Sequence, residues 1–113
     1  MTAADYRKLA LGLPEAVEGS HMGHADFRVG GKIFATLGPN ETWGMVKLTP
    51  DQQTAFVNSE AGAFLPINGA WGKKGATRVD LAQAKTTPVR QALELAWRNT
   101  APKNLADAHP KIG

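Results

Sequence analysis

No cysteine occurs among the 113 residues. That excludes a disulfide framework, a thiolate metal site and a cysteine nucleophile. No apolar run approaches the roughly 18 residues that a membrane span requires, so no membrane partner is expected. Serine is nearly absent: Ser20 and Ser59 are the only two, and neither sits in a nucleophile-elbow context. No two carboxylates share one periodic face closely enough to form an acid–base pair. His21 and His24 form an H-x-x-H pair, but the third histidine, His109, is far along the chain, and two ligands are too few for zinc. No metal, cofactor or enzymatic activity is therefore expected. The start, Met-Thr-Ala-Ala-Asp-Tyr-Arg, carries an early acid and no apolar h-region, so no signal peptide is read there and a cytoplasmic location is the natural expectation.

What is present suits an ordinary globular chain. Hydrophobic residues make up 42% and charged residues 20%, which argues against disorder. The length fits a single domain over residues 1–113, burying close to two-thirds of the unfolded surface. Thirteen basic side chains against ten acidic leave a net charge of +3.

Three segments carry helical signals. In Thr2 to Leu11, Tyr6, Leu9, Ala10 and Leu13 share one face; Thr2 caps it, and Gly12 with Pro14 stops it. Thr49-Pro50-Asp51-Gln52 is a capping box with proline at N1, opening a short helix to about Val57. Thr87-Pro88 opens a third, to about Asn99, with Val89, Ala92, Leu93, Ala96 and Trp97 as its apolar stripe. A last turn is expected around Lys103 to Ala108. Elsewhere the period changes to two. Ala25–Val29 and Lys32–Leu37 flank Gly30-Gly31, a strong hairpin signal because a type I′ turn needs positive φ at both central positions. Thr42 to Leu48 and Thr77 to Leu81 read as two more strands, and Ala16 to His21 as an edge strand. The order α, three or four β, α, β, α predicts a two-layer α+β domain with helices on one face of an antiparallel sheet.

One segment stands out chemically. Gly69-Ala70-Trp71-Gly72-Lys73-Lys74-Gly75-Ala76-Thr77 has the composition of a phosphate-binding loop, but its spacing fails the P-loop pattern and a strand follows. No acid occurs from Ala61 to Val79, while Lys73, Lys74 and Arg78 supply three positive charges. A flexible basic loop of this kind grips a phosphate backbone while an indole stacks. For Trp71 the residues alone favour a plug for the core over a stacking platform. Arg28 and Lys32 flank the Gly-Gly turn and extend the positive character of that end of the sheet. Lys47 adds to it if it points outward.

The chain resembles the MmcQ/YjbR family in four ordered stretches. These are His24 to Leu37, Leu48-Thr49-Pro50-Asp51-Gln52-Gln53, the Gly69-x-Trp71-Gly72-x-x-Gly75-x-Thr77 segment, and Ala96-Trp97-Arg98 followed by Ala101-Pro102-Lys103. The resemblance implies a small bacterial cytoplasmic protein of secretion-chaperone-like α+β fold. It also implies the family label of predicted DNA binding, by a double-wing arrangement whose hairpins straddle a duplex. Carried over residue by residue, the candidate nucleic-acid surface is Arg28, Lys32, Trp71, Lys73, Lys74 and Arg78; the family brings no catalytic residues. Duplex DNA is one expected partner. The other is a protein or peptide, since a secretion-chaperone-like sheet offers a broad face and an edge strand.

Overall fold

A computed structural model describes residues 1–110. Helix α1 (Ala3–Leu11) begins in a reciprocal cap: the Thr2 hydroxyl accepts from the Asp5 amide at 3.1 Å, and the Asp5 carboxylate accepts from the Thr2 amide at 3.1 Å. Strands β1 (Val17–His21), β2 (His24–Val29), β3 (Lys32–Leu37) and β4 (Trp43–Lys47) follow as a meander. Helix α2 (Pro50–Ser59) opens on the expected capping box, Thr49 with Gln52, and runs a little past Val57. Then come β5 (Phe64–Pro66), the four-residue α3 (Ala70–Lys73), β6 (Ala76–Asp80), α4 (Thr86–Thr100) and α5 (Lys103–Ala108).

The six strands form one antiparallel sheet in the order β1-β2-β3-β4-β6-β5. The chain leaves β4, crosses through α2 to the far edge and returns between the two. Neither β5 nor α3 carries a readable sequence signal. Three residues are too few to show a period of two, and Pro66 is tolerated only because β5 is an edge. The Gly30-Gly31 turn is as expected: φ is +59° and +79°, and Val29 faces Lys32 across it. One irregularity follows in β3. Phe27 pairs with Ala35 and Arg28 with Ile33, so Phe34 bulges out of register, and both Phe34 and Ala35 end up fully buried.

The core lies between one face of the sheet and the helices. Phe27, Val29, Ala35, Leu37, Val46, Phe64 and Val79 point into it from the strands. The complete apolar stripe expected of α4 is buried against them, with Trp97 fully enclosed and its indole N–H donating to the Pro14 carbonyl at 2.9 Å. Tyr6 crosses from α1 and donates to the Met45 carbonyl at 3.1 Å. Its ring needs Gly44 beneath it, because a Cβ there would lie 2.6 Å from the ring. This is a two-layer α+β fold, with helices packed on an open antiparallel sheet.

Candidate nucleic-acid interface

Antiparallel pairing decides which chain ends share an end of the sheet. The β2–β3 turn, the last residue of β4 and the connection from β5 through α3 to β6 all emerge at the same end. Lys32, Lys47, Lys73 and Lys74 are therefore gathered there, all exposed. Lys47 and Lys74 line one cavity of about 370 Å³ together with Trp71, Thr49 and Asn99. Asn99 fixes this corner: its amide donates to the Lys47 carbonyl at 3.1 Å and to the Gln52 side chain at 2.7 Å.

The Gly69–Gly75 segment is not the flexible loop that its composition suggests. Gly72 is buried, and a Cβ there would sit 1.6 Å from the Ile67 carbonyl oxygen; at Gly75, φ +114°, one would sit 1.9 Å from that of Leu48. Gly72 and Gly75 thus serve close backbone packing. Gln53, nearly buried on α2, clamps the segment by donating to the carbonyls of Gly72 and Ala76, each at 3.0 Å. The Thr77 hydroxyl adds a bond to the Gly75 carbonyl at 2.8 Å. The consequence is that Lys73, at the end of α3, and Lys74, its C-cap, are held on a segment packed and hydrogen-bonded against α2 and β6. Nothing local in the sequence marks Gln53 for this role apart from its place inside the Thr-Pro-Asp-Gln-Gln string.

Trp71 does not plug the core as the residues alone suggest. It is 65% exposed, and the indole that fills the core is Trp97. A four-residue helix on the outside of β6 has no buried face wide enough for a tryptophan, so the ring lies on the surface.

The two arginines differ from the lysines. Arg28 lies on the sheet face opposite the helices and grips Asp26 with two bonds, Nε to Oδ1 at 2.8 Å and Nη2 to Oδ2 at 3.0 Å. Asp26 is fully buried, and the Arg28 hydrogen bond holds its carboxyl below the usual carboxylate value. Gly19 makes room for the pair, since a Cβ would lie 2.9 Å from Asp26 Oδ1. Arg28 is thus a structural cation already neutralised, not a free contact as its position beside the turn suggests. Arg78 sits on the same face with its guanidinium 4.6 Å from the centre of the Trp43 ring, a cation–π contact that leaves its charge unneutralised.

That face also carries a groove of about 360 Å³. Ile33, Thr36 and Met45 form its floor; His21, His24 and Asp26 close one end, and Lys47, Ile67 and Trp71 the other. His21 and His24 face each other across the β1–β2 turn. Among the described residues no group of three or more His, Cys, Asp or Glu is placed to hold a metal ion.

A family model for YjbR matches residues 11–99. The chain belongs to the YjbR family. The crystal structure of Deinococcus radiodurans protein DR2400, which carries the family-model domain DUF419, is similar with a TM-score of 0.75 and 17% identity, over 97% of this chain and 86% of that one. That likeness establishes a shared fold for this YjbR chain. No curated protein matches it. Among the described residues no helix is long and apolar enough to cross a membrane.

Proposed function

We propose that this YjbR-family protein is a non-enzymatic DNA-binding protein that holds the phosphate backbone at the basic end of its sheet. The observation that supports this is the gathering of Lys32, Lys47, Lys73 and Lys74, on three separate connections, at one end of the sheet, where Lys47 and Lys74 line one cavity with the exposed Trp71. The β2–β3 turn with Lys32 and the α3 connection with Lys73 and Lys74 are the two projections that would act as wings. Arg78 extends the positive field along the open face, and Arg28 supports that face from within its ion pair.

Four neutralised phosphates give a logarithmic salt slope near −3.6 on duplex DNA, a loss of roughly 10² in affinity between 50 and 200 mM salt. Fluorescence anisotropy with labelled DNA measures it. Replacing Lys73 and Lys74 together with alanine is expected to reduce the slope by about 1.8 and leave the melting temperature unchanged, because exposed lysines contribute little to stability. Absence of binding at low salt, or binding indifferent to the double change, rules out this interface.

A second reading rests on strand β1. It is a free sheet edge with Val17 57% exposed, and Met22 beside it is 86% exposed. A protein segment adding a strand there would use backbone bonds and no charge. Salt-independent association abolished by Val17→Pro would favour it over DNA.

A further inference from the structure

The groove over the open sheet face adjoins the lysines proposed above to hold phosphate. Trp71 and Lys47 line both this groove and the cavity that holds Lys74. Three properties are therefore contiguous. The floor of Ile33 and Met45 is flat and apolar, since it is one face of a sheet. An indole stands at the rim, 65% exposed, although burying such a ring is ordinarily favourable. Cations lie just beyond it.

One chemistry uses all three: a planar group with an apolar face, tethered to a phosphate. An aliphatic peptide side chain suits the floor but brings no anion to the lysines. Duplex DNA brings the anions but keeps its bases stacked and paired, out of reach of the floor. The volume of about 360 Å³ lies in the range of sites for small ligands. We infer that the groove receives an unpaired nucleobase of a single DNA strand, stacked on Trp71, with the adjoining phosphates on Lys47 and Lys74. This rests on the DNA-binding reading above and narrows it to single-stranded substrate.

Four probes at one low salt concentration test it: a labelled twelve-nucleotide thymidine strand, an abasic sugar-phosphate strand of the same length, a twelve-base-pair duplex, and thymidine monophosphate as competitor. Stacking of one base on an aromatic ring corresponds to roughly 5- to 100-fold in affinity. The thymidine strand is expected to bind tighter than the abasic strand and the duplex by a factor in that range. Trp71→Ala is expected to bring it down to the abasic level with an unchanged melting temperature, and Trp71→Phe to restore most of the difference. Equal binding of the thymidine and abasic strands overturns the base site and leaves backbone binding standing, and so does a duplex that binds as tightly as the thymidine strand. Competition by the monophosphate at the concentration of the strand itself overturns strand binding in favour of a free-nucleotide pocket. No binding by any probe removes both this proposal and the DNA reading beneath it.

Discussion

Two adjacent glycines show how one position can answer to more than its own backbone. Gly30 and Gly31 both have positive φ, at +59° and +79°. Alanine at either strains the turn by about 1–2 kcal/mol. At Gly31 a Cβ would meet nothing within 4 Å, whereas at Gly30 it would lie 2.7 Å from Cγ and Cδ of Pro102. Gly31→Ala is therefore expected to lower the melting temperature by about 5 °C, and Gly30→Ala by distinctly more. Equal losses would mean that Pro102 does not seat on the turn. The turn itself was legible, because Gly-Gly between two alternating runs has few other solutions. Its contact with Pro102 was not, since nothing local links the two.

Among the elements, α3 depends on a neighbour for its place. Four residues cannot hold a helix by propensity alone, so the segment owes its position to packing and to Gln53. Gln53→Ala leaves the carbonyls of Gly72 and Ala76 without this donor, at a cost of about 1–3 kcal/mol. It is expected to make trypsin cut after Lys73 or Lys74 well before the rest of the domain, and to weaken DNA binding although no charge has changed. A cleavage pattern like that of the parent protein would show that the glycine packing suffices without the clamp. The capping boxes of α1 and α2 and the stripe of α4 were readable because each is specified within one or two turns. β5 and α3 were not, because both are shorter than the period that would reveal them.

At the scale of the whole molecule, the ion pair on the open face ties stability to pH. Arg28 holds the buried Asp26 carboxyl below its ordinary value of 3.8. Under acid the unfolded chain takes up the proton first, so the pair's contribution is complete above the ordinary value and is lost as pH falls from about 4 through the depressed native value. The parent protein is expected to exceed Asp26→Asn in melting temperature at neutral pH, with the gap steady down to about pH 5 and closing below about pH 4. A gap that stays constant into acid would show that the charge of Asp26 is not what the fold uses.

The sequence alone determined the parts that local chemistry specifies: the fold class, the caps of α1 and α2, the Gly-Gly hairpin, the buried stripe of α4, and the basic character of the Gly69–Arg78 region. Tertiary structure alone decided which cations are available and where they meet. Arg28 looks like a free charge beside a turn until β1 and β2 pair and Gly19 opens a space for its bond to Asp26. Trp71 looks like core until Trp97 is seen to occupy it. Lys47 joins Lys32, Lys73 and Lys74 only through the β3–β4–β6 register, which brings together residues remote in the chain. Side-chain period and capping act over a few residues and leave a trace in the string of letters. Convergence across strands depends on pairing between distant segments, and the burial of each charge depends on what those segments bring against it.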